Sequence, residues 1–190
     1  MKILITMSAV VIAVSAHAAG ATADSVPANL RVPDGNNMMF SAHAVGTQNY
    51  VCLPGKTGGF AWTLYGPDAV LHAEKSGEAI GVHILSPDAS GAAHPSWQGL
   101  DGSRAQATAT ANSSEKPFVA DGAVPWLLLK VSGTTPPHGK RATYPFATAT
   151  YVQRIHTTGG IAPAAGCAVA GDVGAKALMP YEADYVFYGP

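Results

Sequence analysis

From Phe40 onward the chain changes hydrophobic character at every second residue, over and over, between short clusters of glycine and proline. In "MFSAHAV", Phe40, Ala42 and Ala44 share one face, with Ser41 and His43 on the other. "FAWTLY" separates Phe60, Trp62 and Leu64 from Ala61, Thr63 and Tyr65, and "AIGVHIL" separates Ile80, Val82 and Ile84 from Gly81 and His83. "RAQATATA" alternates Arg104, Gln106, Thr108 and Thr110 with alanine. "PWLLLKV" is nearly continuous and reads as a strand buried on both faces; "TYVQRIH" and "ADYVFY" complete the set. Period two is the signature of strands, and no stretch shows the 3.6-residue period of a long helix.

Turn signals lie between these runs: Pro33-Asp34-Gly35, Pro54-Gly55, Gly58-Gly59, Gly66-Pro67-Asp68, Asp101-Gly102, Asp121-Gly122, Pro136-Pro137 and Gly159-Gly160. Each offers a preset φ or a residue that tolerates positive φ. The pattern predicts eight to ten short strands in one all-β domain spanning residues 26–188. An antiparallel β-sandwich or a partly closed β-barrel with long loops satisfies it. The longest loops fall at 86–94 and 132–146, and "VPANLRVP" holds one short turn before the first strand.

The start of the chain is of a different kind. Lys2 precedes an apolar run from Ile3 to Val14, and Ala16-His17-Ala18 supplies small residues around a cleavage point. This predicts a secretory signal peptide over residues 1–18, with Ala21 as an alternative end, and a periplasmic or secreted product. No later run reaches the about 18 apolar residues of a membrane-spanning helix. The formal net charge is −1 and only 12% of residues are charged. That leaves no basic face for nucleic acid.

Two cysteines, Cys52 and Cys167, follow the leader. In an oxidising compartment a lone pair of thiols is expected to form a disulfide. Neither belongs to a C-x-x-C pair, so no thiol metal site or redox centre is expected.

Candidate chemistry is sparse. Six histidines lie beyond the leader: His43, His72, His83, His94, His138 and His156. None forms the His-x-His pair that places two imidazoles on one strand face, and no metal or other cofactor is expected. No G-x-S-x-G elbow or G-x-G-x-x-G fingerprint occurs. Glu182 and Asp184 share a strand face, the spacing of a carboxylate pair. In "HPSWQGLDGS" Asp101-Gly102-Ser103 reads as a hairpin turn. Trp97 reads as a buried anchor whose indole N–H needs one acceptor, or as an exposed platform for a sugar or other flat ligand. In "QRIHTTGGIAP", Arg154 and His156 fall on one face with Val152. The loop after them either presents backbone N–H groups to an anion or anchors the segment leading to Cys167.

Taken in order, "VPANLRVPDGN", "AHAVGTQNYVC", "FAWTLYGPDAVL", "IGVH", "PSWQGLDGS", "VPWLLLKV", "TYVQRIHTTGGIAPAAGC" and "ADYVFY" resemble a family of secreted bacterial and fungal proteins, domain of unknown function 3455. The likeness runs from about Val26 to Tyr188. Between His83 and Pro95 this chain inserts "ILSPDASGAAH", so His94 has no counterpart in the family pattern. The resemblance implies a secreted, mostly β domain and no particular activity.

The resulting expectation is a non-catalytic domain that binds a small molecule, a glycan or a surface component, with Trp97, Asp101, His43, His83, Arg154 and His156 as candidate ligand contacts. The alternative is an enzyme or metalloprotein whose site gathers His43, His83, Arg154 and His156 from distant strands.

Overall fold

The computed structural model describes residues 26–139 and 144–190; the expected leader and both of its cleavage positions lie outside the described residues. Eight strands form the domain: β1 (Asn37–Pro54), β2 (Phe60–Ala73), β3 (Ala79–Pro87), β4 (Ala93–Gly99), β5 (Arg104–Ser113), β6 (Trp126–Thr135), β7 (Tyr151–Gly159) and β8 (Lys176–Gly189). Each pairs antiparallel with the next, and β8 returns to pair with β1 from Asn37↔Gly189 to Val51↔Lys176. The sheet therefore closes into a barrel and leaves no edge strand. Helical structure among the described residues is confined to three-residue 3-10 turns, one of them at Ala28–Leu30 in the segment where a short turn is expected. No helix there is long and apolar enough to cross a membrane.

Strands run longer than the turn signals suggest. Gly66-Pro67-Asp68 does not end a strand but lies inside β2, where Asn49 pairs with Gly66 and Tyr50 with Leu64. Tyr65 is the extra residue of a β-bulge, which bends the sheet without interrupting it. The segment 86–94 is also no long loop. Ser86–Pro87 and Ala93–His94 pair across a hairpin, and the Asp88 carboxylate accepts the backbone N–H groups of Ser90 and Ala92 in its turn. The long connections are residues 114–125 and 160–175; of the loop expected at 132–146, residues 132–135 belong to β6 instead, and the described residues 136–139 and 144–150 lie outside any strand.

Alanines make room for large rings inside the barrel. Ala42, Ala44, Ala69, Ala105, Ala107 and Ala183 are all buried beside Trp97, Tyr181, Tyr185 and Phe187. At one end Phe40, Phe146 and Phe187 pack ring on ring, with Phe40 and Phe187 stacked at 4.4 Å, and they plug the barrel. Outside it, a second core joins Val26, Leu30, Val119, Trp126, Leu128, Ile155 and Val186. The N-terminal segment lies there because Gln153 Nε2 donates to the Leu30 carbonyl at 2.6 Å, while the Tyr188 hydroxyl donates to Gln153 Oε1 at 2.7 Å.

The other end carries the 160–175 connection. Cys52 and Cys167 form a disulfide, with Cα atoms 5.5 Å apart. The Tyr50 hydroxyl donates to the Gly160 carbonyl at 2.7 Å, and Trp62 Nε1 donates to that of Ala165 at 3.0 Å. The segment after Gly159-Gly160 is thus anchored against β1 and β2.

Candidate functional site

The six candidate contacts do not meet at one place. His83, Trp97 and Arg154 line the inside of the barrel, whereas His43 and His156 stand outside it and Asp101 turns a corner at the plugged end.

Inside, a cavity of about 150 Å³, partly open to solvent past the exposed Leu64, lies beneath the end that carries the disulfide. Leu64, Pro67, Leu85, Pro95 and Leu127 surround it, and His83, Trp97, Tyr185, Gln48 and Arg154 line its polar side. His83 does not follow the phase of Ile80, Val82 and Ile84. It shares the inward face with Gly81, which pairs with Leu71 on one side and Gly99 on the other. Its Nδ1 donates to the Ser96 carbonyl at 2.9 Å, which fixes the tautomer and leaves Nε2 as an acceptor. Burial pulls His83 down from 6.5 to about 3, against the opposing effect of the Ser96 hydrogen bond and with the help of Arg154's charge. The ring is therefore neutral at physiological pH.

Trp97 is 0% exposed, so it is a buried anchor and no exposed platform. Its indole N–H, expected to find an acceptor, has none. Gln48 is 2% exposed. It lies close enough to the Tyr181 hydroxyl to affect it, yet its amide nitrogen makes no hydrogen bond of acceptable geometry. Tyr181 and Tyr185 share a hydroxyl–hydroxyl bond of 2.7 Å. Burial pushes both phenols up, so both stay protonated.

Outside, His43 and His156 hold the two oxygens of Asp184, each through Nδ1 at 2.8 Å. His43 and Asp184 are a cross-strand pair of β1 and β8. Strict alternation would put His156 on the inward face with Val152 and Arg154. A bulge in β7 between Ile155 and Thr158, with His156 at φ 49°, turns it outward instead. Burial pushes the Asp184 carboxyl up, but the hydrogen bonds from His156 and His43 outweigh this and hold it below its ordinary value. Glu182 approaches His43 Nε2 at 3.7 Å. Among the described residues no group of three or more His, Cys, Asp and Glu is arranged to hold a metal.

In the inserted hairpin, His94 Nε2 lies 2.9 Å from Asp88 and its Nδ1 lies 3.5 Å from the Thr108 hydroxyl. The order resembles nucleophile, base and acid, but the Thr108 contact is longer than the about 2.6–3.2 Å that activation needs. Asp101 does a turn residue's work. Its Oδ1 accepts the Ser103 backbone N–H at 2.9 Å and the Ser103 hydroxyl at 2.6 Å.

The fold and the cavity define a disulfide-bonded, closed antiparallel β-barrel with a small cavity that is partly open to solvent. The chain belongs to the family described as protein of unknown function (DUF3455), which it matches over residues 33–189. No curated protein and no solved structure matches it.

Proposed function

We propose that the protein is an exported, non-catalytic barrel that takes one small molecule into the interior void. Supporting this most directly is the void itself: an apolar surround around buried polar side chains, with the amide nitrogen of Gln48 unpartnered. An unpaired buried donor costs about 1–3 kcal/mol, so it marks a place where a ligand atom would be stabilising. A void of 150 Å³ has the size that admits a single six-membered ring. Pockets of this kind gain affinity from apolar burial and orientation from a few polar groups. The four-residue assembly of His43, His83, Arg154 and His156 is not proposed as a site, because its members lie on opposite faces of the barrel wall.

Calorimetric titration with benzyl alcohol, benzoate and benzylamine tests the reading. Saturable binding of at least one of them is expected, and its loss in Leu127→Trp, where the added indole fills the void. If none of the three binds the wild-type protein, the void is not a ligand site.

A further inference from the structure

The polar side of the void has a sign. No Asp or Glu lines it. Arg154 brings five N–H donors; the Pro125 carbonyl meets Nε at 3.1 Å and Nη2 at 2.7 Å, the Tyr185 hydroxyl engages a further N–H, and the remaining donors stay available. Among the described residues no carboxylate forms an ion pair with Arg154. Its positive charge acts on Tyr50, His83, Tyr181 and Tyr185 alike, which places it in the middle of the cluster. His83 adds no compensating negative charge, only the Nε2 acceptor. The Gln48 amide donor is unpartnered and 2% exposed. A part-buried guanidinium without a counter-charge is stabilised when an anion completes it, and its planar fork matches a carboxylate.

We propose that the void binds a small organic carboxylate, its anionic group against Arg154 and Gln48 and its ring-sized apolar part between Trp97, Leu127 and Leu129. This rests on the reading of the void as the binding site and adds the chemical class of the ligand. The apolar wall disfavours a bare inorganic anion, which would leave that surface uncovered, and the positive charge disfavours an amine.

The charge series on the intact protein tests it. Benzoate is expected to bind about tenfold or more tightly than benzyl alcohol, as a charge-assisted hydrogen bond would give, and benzylamine to bind more weakly than either. Arg154→Met is expected to erase the advantage of benzoate while leaving benzyl alcohol nearly unchanged. The wild-type series stands even if that variant fails to fold, and Gln48→Leu, which keeps Arg154, is expected to reduce the advantage in part. Benzyl alcohol binding as tightly as benzoate would overturn the carboxylate assignment and leave the void as a neutral site. Binding by none of the three would overturn both.

Discussion

His83 lies flat against Trp97 inside the barrel, ring centroids 4.8 Å apart and planes 11° apart. Tyr185 closes on both, 4.7 Å from His83 and 5.2 Å from Trp97. An imidazole packed in this way resists taking up a proton, and the fold must then respond to acid.

The response has a definite sign. The folded value of His83, about 3, lies below its ordinary 6.5, so between the two the unfolded chain binds a proton that the folded chain does not. Stability is present above pH 6.5 and falls as pH drops, by up to about 1.4 kcal/mol per unit. Between pH 8 and pH 4.5 the expected loss is about 2–3 kcal/mol. Asp184, held low, adds its own loss only at still lower pH, as pH falls through its folded value. Urea midpoints at the two pH values measure the loss. His83→Phe is expected to lower the midpoint at pH 8, because the Ser96 carbonyl loses its donor, yet to flatten the pH dependence. An unchanged slope in that variant would assign the acid sensitivity elsewhere.

Gln48 offers a trade between stability and binding. Its amide nitrogen is buried without a partner, so Gln48→Leu removes a desolvated donor and adds apolar contact in a position of similar size. The expected result is a gain of about 1 kcal/mol in chemical denaturation together with weaker ligand binding. A residue kept only for architecture would show the opposite: a loss of stability and no change in binding.

Much of the barrel is legible in the residues. The period-two runs locate most of the strands, and the face that carries Phe40, Ala42 and Ala44 is the inward one. Extending that phase along β1 passes Gly46 and arrives at Gln48, a polar residue on the inner wall. In "YEADYVFY" the same phase collects Tyr181, Ala183, Tyr185 and Phe187, all buried. The void's polar side is therefore partly written in the alternation. Three things are not. Closure is one, since β1 meets β8 only through pairing across most of the chain's length. The bulges at Tyr65 and His156 are another, because one extra residue reverses the phase and no local pattern announces it. The third is the inward turn of His83, decided by the space that Gly81 and Gly99 leave and by the flat face of Trp97, not by its own neighbours in sequence.

The disulfide should contribute substantially. It closes a loop between residues 115 apart in sequence, and the chain-entropy account assigns such a loop about 4–5 kcal/mol. Replacing both Cys52 and Cys167 with alanine is expected to lower the melting temperature by roughly 10 °C for a domain of this size. The same variant loosens the 160–175 connection, so limited proteolysis should cut there first. Equal melting of the oxidised and alanine forms would mean that Tyr50, Trp62 and their backbone partners hold the segment alone.

Gly46 tests the close approach of β1 and β2 on the inner wall. A Cβ built on it would fall 2.2 Å from the Asp68 carbonyl oxygen and 2.5 Å from the Ala69 Cα, both backbone atoms that no side-chain rotation can clear. Gly46 pairs with Ala69 and with Tyr181, so the displaced strand would press toward the Tyr181–Tyr185 hydroxyl pair. Gly46→Ala is expected to destabilise the domain by about 1–3 kcal/mol, although alanine costs less unfolded-state entropy than glycine. Gly35 makes the comparison: its φ is positive, so alanine there is strained by backbone conformation, but a Cβ meets nothing within 4 Å. Urea denaturation of the two variants side by side separates crowding from conformation. If Gly46→Ala proves no less stable than the parent, the β1–β2 wall is looser than the packing of Ala69 and Tyr181 requires.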